Sequence, residues 1–94
     1  MKKNESNYQS PESVVIRFMR EKRQLTLLEA GKKSGIKPKL IDHMENGRRV
    51  ITQEDIVVFL EFYKFSEEVF KELLELKPLT KQAANHYFIK NRID

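Results

Sequence analysis

The sequence predicts an all-α fold of five helices with a C-terminal extension. Apolar residues recur three and four positions apart in several segments, which is the spacing that places them on one face of a helix. No segment alternates strictly between apolar and polar residues, so no strand is predicted. Capping residues or proline mark the helix starts. The predicted helices begin at Ser10-Pro11, Thr26, Pro38, Thr52 and Ser66, and a sixth can run from Thr80 to Asn91 in the extension.

The second and third predicted helices are short and closely spaced. Helix 2 opens on the capping box Thr26-x-x-Glu29 and ends near Gly35, which can adopt the left-handed conformation of a helix terminus. Helix 3 begins at Pro38, where the missing N–H costs nothing, and runs to Asn46. Two short helices joined by a tight turn indicate a helix-turn-helix, whose second helix enters the DNA major groove.

The composition excludes several classes of protein. Ninety-four residues with 39% hydrophobic content allow one small domain with a modest core. Because there is no cysteine, disulfide frameworks and thiolate zinc sites are excluded. Polar residues follow Met1-Lys2-Lys3, so no signal peptide is predicted, and the longest apolar run, 56–60, is too short to span a membrane. We therefore expect a cytoplasmic protein.

Charge is distributed unevenly along the chain, whose formal net charge is +4. Residues 1–50 contain 12 Lys and Arg against 6 Asp and Glu, whereas residues 51–94 contain 6 against 8. The basic half is the half that contains the predicted helix-turn-helix. Clustered cations gain affinity for a polyanion by releasing counterions from its phosphates, although an ordinary basic surface would show the same asymmetry.

Helix 3 has a predicted inner face and a predicted outer face. Gly31 is small, so helix 3 can cross helix 2 closely, and the turn at Gly35 sets the two helices at a steep angle. Ile41 and Met44 are expected to anchor helix 3 to the core. Residues at i, i+3, i+4 and i+7 share one helical face. The outer face therefore contains Lys39, Asp42, His43 and Asn46.

A set of residues in order at fixed spacing carries a family resemblance. Its members are Leu25-Thr26, Gly31, Gly35-Ile36, Ile41 and Met44-Glu45-Asn46-Gly47, preceded by Met19-Arg20-Glu21. This pattern resembles the phage repressor and Cro-type helix-turn-helix family, also called the XRE family, over roughly residues 12–76. The resemblance implies a five-helix repressor-like helix-turn-helix bundle that binds duplex DNA.

Four side chains of helix 3 are candidate base contacts. Lys39 can donate to guanine O6 or N7, or to a phosphate, and by the resemblance His43 lies where a base is often contacted. Asp42 can either accept from a cytosine N4 amino group or hold Lys39 or Arg49 in place. Leu40 can meet a thymine methyl, although an exposed leucine also suits a protein contact. As a metal ligand His43 is not expected, since the chain has only 2 histidines and no cysteine.

The flanks of helix 3 supply candidate phosphate contacts, which set register without sequence information. Basic side chains before and after the helix suit this role, and solvated charge is the alternative for each of them. Main-chain N–H groups at the start of helix 2 and near the end of helix 3 can also meet phosphates. The family often has a phosphate-binding glutamine at the position of Leu27. The candidates are Thr26, Leu27, Lys37, Asn46, Arg48 and Arg49.

A structural role is expected for Arg20 and Glu45. The resemblance implies an ion pair between these two residues that joins helices 1 and 3. They are therefore predicted to stabilise the fold and not to read DNA. Substitution of Glu45 by Gln should lower stability more than it changes sequence preference.

The sequence divides the chain into three parts. Residues 1–9 are predicted to be a disordered arm, residues 10–77 the helix-turn-helix DNA-binding domain, and residues 78–94 a C-terminal tail. The tail either forms a sixth helix used in dimerisation, packs within the chain or is disordered. The apolar residues expected at a dimer surface are Phe70, Leu74, Tyr87, Phe88 and Ile89.

Two functions fit these observations. The first is a nucleoid-associated transcriptional regulator that acts as a homodimer and binds duplex DNA sequence-specifically, with residues 38–46 in the major groove. The alternative is a protein-interaction module on the same scaffold, antitoxin-like or an adaptor, with weak or no DNA binding. An enzyme is not expected, and neither is a cofactor or a metal, because the sequence has no cysteine nucleophile, metal constellation or glycine-rich phosphate loop.

Overall fold

The computed structural model describes residues 9–94, and all the regular structure in that range is helical. The six helices confirm the predicted all-α class, and the segment predicted only as an option in the extension forms the sixth. They are α1 (Pro11–Lys22), α2 (Leu27–Ser34), α3 (Pro38–Glu45), α4 (Gln53–Tyr63), α5 (Glu67–Leu74) and α6 (Lys81–Lys90).

Side-chain caps begin five of the six helices at the predicted residues. The hydroxyls of Ser10, Thr26, Thr52, Ser66 and Thr80 each accept from the backbone N–H three positions on. Helices α2 and α4 carry complete capping boxes, in which the carboxylate at the third helical position returns a hydrogen bond to the cap. Helix α3 has no side-chain cap and begins on proline.

Helix α1 lies at the centre of the bundle and packs against α3, α4, α5 and α6, while α2 packs on α3 and α4. Its buried face consists of Val15, Ile16 and Met19, each fully removed from solvent. The other helices contribute one to three buried hydrophobic residues each to the same core. The largest of them are Tyr63, Phe59, Phe88, Ile41 and Leu73.

The turn between α2 and α3 is as tight as the sequence predicts. Gly35 ends α2 in the left-handed conformation with φ of 80°, a value that favours glycine. A Cβ atom on Gly31 would lie 2.7 Å from Pro38 Cγ and 2.9 Å from the Ile36 carbonyl oxygen. The two helices therefore approach each other at a point where only a hydrogen atom fits.

The C-terminal extension packs onto the bundle. Phe88 of α6 is 1% exposed and stacks on Phe65, while Phe70 of α5 is 6% exposed. Contrary to expectation, these two phenylalanines are not available to a second copy, because they seat α5 and α6 within the chain. Ile89 is 77% exposed, and Tyr87 and Leu74 are half-buried.

The predicted N-terminal arm, residues 1–9, lies outside the described residues except for Gln9. The Gln9 side chain is held, because its Nε2 donates to the Glu45 carbonyl oxygen at 2.7 Å. Within residues 9–94, no helix has the length and apolar character needed to cross a membrane.

Candidate nucleic-acid interface

Helix α3 presents an outer face that none of the other helices covers completely. Ile41 and Met44 point inward and are buried, as the sequence predicts. On the other side, Lys39 is exposed, and Asp42 and His43 are half-buried. The helix is thus anchored from behind and offers a lysine and an imidazole to solvent.

The position of α3 is fixed by a buried ion pair with α1. Arg20 Nε donates to Glu45 Oε2 at 2.7 Å, and a second guanidinium nitrogen donates to Oε1 at 2.9 Å. The two side chains are only 12% and 4% exposed. The hydrogen bond to Glu45 raises the pKa of Arg20 despite the opposing effect of its partial burial. Two parallel charge-assisted bonds of this kind give both strength and a defined orientation.

The same arginine also ties down the segment that precedes α2. A guanidinium nitrogen of Arg20 donates to the Leu25 carbonyl oxygen at 2.8 Å. One side chain therefore connects α1, the start of α2 and the end of α3. Sequence reasoning missed this third bond and the bond from Gln9 to Glu45, because neither belongs to a helical repeat or a capping pattern.

Asp42 is engaged within its own helix. Asn46 Nδ2 donates to Asp42 Oδ1 at 2.8 Å and to the Asp42 carbonyl oxygen at 2.9 Å. No ion pair within residues 9–94 joins Asp42 to Lys39 or Arg49, the pairing that was one of its two expected roles. Both amide hydrogens of Asn46 are used, so its side chain has no donor left for a phosphate.

The loop after α3 closes on its own helix. Gly47 has φ of 80°, and the backbone N–H groups of Arg48 and Arg49 both donate to the His43 carbonyl oxygen. The backbone N–H of Asn46 donates to Asp42 in the same way. The main chain here is therefore occupied, and the exposed side chains of Arg48 and Arg49 remain the candidate phosphate ligands.

The start of α2 is also largely satisfied internally. Thr26 N–H donates to Glu29 Oε1 at 2.8 Å, and Glu29 N–H donates to the Thr26 hydroxyl. These capping bonds lower the pKa of Glu29. Leu27 is half-buried against the core, so its side chain serves packing while its N–H lies in the first helical turn, where no intrahelical acceptor exists. Of the two candidate phosphate contacts Thr26 and Leu27, Leu27 is therefore the one whose backbone N–H remains able to donate to a phosphate.

Exposed cations lie on α3 and beyond both of its ends. Lys37, Lys39 and Arg49 are all exposed, and within residues 9–94 none of them forms an ion pair. Leu40, the remaining candidate base contact, is half-buried beside them. Positive side chains that form no ion pair, placed on and around a helix held in position, attract a polyanion.

Comparison with known families agrees with this geometry. A family model described as a helix-turn-helix domain matches residues 13–73, more than half of the chain, and the chain belongs to that family. The match includes α1 to α5 almost entirely and is consistent with the resemblance to repressor and Cro-type domains. No curated protein and no solved structure matches the chain. The domain class indicates a DNA-binding protein.

Among residues 9–94, no group of three or more His, Asp or Glu side chains is placed to hold a metal ion. The surface around α3 carries exposed cationic side chains, which are hydrogen-bond donors. That surface is suited to binding, by contacts to base edges and to phosphates.

Proposed function

We propose that this protein is a sequence-specific regulator of transcription that inserts α3 into the major groove of duplex DNA. The observation that carries the proposal is the outward face of α3, held by the Arg20–Glu45 pair and bordered by Lys37, Lys39 and Arg49, which form no ion pair within residues 9–94. A helix held in a fixed position and flanked by positive side chains suits sequence-specific DNA binding, which needs a defined register on the duplex and electrostatic attraction to its phosphates.

Base edges are contacted in this proposal by the outer residues of α3. Lys39 donates to guanine and His43 contacts the base pair one helical turn further along. Asp42 presents the carboxylate oxygen that is not bonded to Asn46 to a cytosine amino group, and Leu40 packs on a thymine methyl.

Phosphates are contacted on either side of that helix. Lys37 lies before α3 and the Arg48–Arg49 pair lies after it, so the two groups bracket the groove-facing residues. The Leu27 N–H at the start of α2 adds a main-chain donor. Two copies of the chain bind together in this proposal. Two-fold pairing then places their two half-sites roughly 34 Å apart along the duplex.

Selection of bound duplexes from a random library identifies the site, and titration of that duplex against salt then tests the proposal. We expect affinity to fall steeply with salt, with a slope of about −0.9 for each phosphate neutralised. Lys37→Ala should make the slope shallower by about one unit and weaken all sequences alike.

The double substitution Lys39→Ala, His43→Ala tests sequence reading. It should abolish preference for the selected site, whereas Lys77→Ala, which removes an exposed lysine outside α3, should leave it intact. Retention of site preference by the double variant, or affinity insensitive to salt, would contradict the proposal. Of the two results, affinity insensitive to salt would favour the alternative of an antitoxin-like or adaptor module.

A further inference from the structure

An open groove of about 640 Å³ lies between α5 and α6, on the side of the bundle formed by the extension. Its apolar lining comes from Leu76, Pro78, Ala83 and Tyr87. Tyr87 is fixed there because its hydroxyl donates to Glu72 at 2.5 Å. The groove is therefore a preformed apolar surface that helices of the chain itself leave uncovered.

A large apolar side chain projects beside this groove. Ile89 is 77% exposed and lies on α6 between His86 and Lys90, both of which line the groove. An isoleucine left in water forgoes the stabilisation that burial of its side chain gives. The C-terminal extension thus contains both a protruding apolar residue and, next to it, much of the lining of an apolar recess.

Charge on this face is divided between the two helices. The exposed charged side chains of α5 and of its C-terminal cap are mainly acidic and include Glu68 and Glu75, whereas the last residue of α6 and the segment after it carry the basic side chains Lys90 and Arg92. Within residues 9–94 none of these four forms an ion pair. A surface with both signs of charge side by side becomes complementary to itself after a two-fold rotation.

We propose that this face is the homodimer interface, with Ile89 of each copy seated in the α5–α6 groove of its partner. The acidic side of α5 in one copy then meets the basic end of α6 in the other, twice in each dimer. A second copy is the favoured occupant because the projection, the recess and both charge signs belong to one chain. This interface would join the two copies of the chain that bind DNA together in the proposed function. Binding of a single α3 to DNA does not depend on it.

The arrangement leaves α3 available. Helices α3 and α6 each pack on α1, and neither Lys39 nor His43 lines the α5–α6 groove. Dimerisation through α6 therefore does not need the outward face of Lys39 and His43.

Sedimentation velocity without DNA tests the interface. The wild-type chain should associate at micromolar concentrations to about twice its mass of 11.2 kDa. Ile89→Asp should weaken the dimer by about thirtyfold or more, as expected for a central apolar anchor, with an unchanged thermal transition in dilute monomer. The matched control Val57→Asp changes an exposed valine of α4 and should leave the dimer intact.

Charge reversal in separate chains gives the sharper result. The variant Glu68→Lys, Glu75→Lys and the variant Lys90→Glu, Arg92→Glu should each be monomeric, because like charges meet at both contacts. Mixed together, they should form a heterodimer in which both contacts are restored. A wild-type chain that stays monomeric, an Ile89→Asp variant that still dimerises, or a mixture that fails to associate would each overturn the interface. A wild-type chain that stays monomeric but still binds a half-site through one α3 in a salt-dependent way would overturn the interface and leave the DNA-binding proposal standing.

Discussion

The close approach of α2 and α3 makes Gly31→Ala the most informative single substitution. The new methyl group would lie 2.7 Å and 2.9 Å from two ring carbons of Pro38 and 2.9 Å from the Ile36 carbonyl oxygen. Carbon atoms in favourable contact are about 3.5 to 4.0 Å apart, so the shortfall is close to 1 Å. The obstacles are a proline ring and a backbone oxygen, and neither can rotate away.

Two opposing effects decide the outcome of Gly31→Ala. Alanine in a helix is about 1 kcal/mol more favourable than glycine. Overpacking of a well-filled contact costs about 1 to 3 kcal/mol, and a rigid neighbour places the cost toward the upper end. We therefore expect a net loss of about 1 to 2 kcal/mol in the free energy of unfolding, together with a displacement of α3.

Urea denaturation followed by circular dichroism measures this loss, and amide chemical shifts of α3 report the displacement. Gly35→Ala is the control: it strains a residue whose φ is 80° but meets no atom within 4 Å, so α3 should stay in place. In a Pro38→Ala background the cost of Gly31→Ala should shrink by about 1 kcal/mol, since residues in contact are coupled. A Gly31→Ala protein that is more stable than wild type, with no dependence on residue 38, would refute the close approach.

Three further predictions concern stability. Glu45→Gln removes the charge that balances Arg20 in a buried pair and should lower the free energy of unfolding by about 3 kcal/mol, measured by urea denaturation, while the selected DNA site stays the same. Burial, followed by the hydrogen bond to Glu72, raises the pKa of Tyr87 from 10.0 to about 12. The neutral Tyr87 hydroxyl therefore contributes its full stabilisation of the folded chain below pH 10, and this contribution is lost as the pH rises toward 12. Tyr87→Phe should flatten the fall in the free energy of unfolding over that pH range. Thr52→Ala removes the hydroxyl that accepts from the Asp55 N–H in a capping box and should cost about 1 kcal/mol in thermal unfolding, most of which Thr52→Ser should recover.

The fold was largely predictable because the signals that begin and end its helices are local. Thr26, Thr52 and Gly35 act within three or four residues of their own position, so their effect can be read without the rest of the chain. The inward direction of Ile41 was predictable for the same reason, since helical periodicity decides it. The family match independently supports the helix-turn-helix assignment.

The contacts made by polar side chains were not predictable to the same degree. Asp42 had several partners in reach, and only the three-dimensional placement of Asn46 shows which one it meets. The apolar stripe of α6 indicated that Phe88 would be covered but not by what, because a helix buries the same face in its own core or in a partner. Gln9 precedes the first helix and belongs to no pattern at all.

The three hydrogen bonds donated by Arg20 have a consequence for how the chain would bind a DNA duplex. Its guanidinium holds the carboxylate at the end of α3 and the main chain before α2 at once. The angle between these helices is thus settled when the chain folds, and little ordering entropy remains to be lost on association. With so rigid a probe, adaptation must come from the nucleic acid: base steps that bend or widen easily would be favoured even where no side chain touches them.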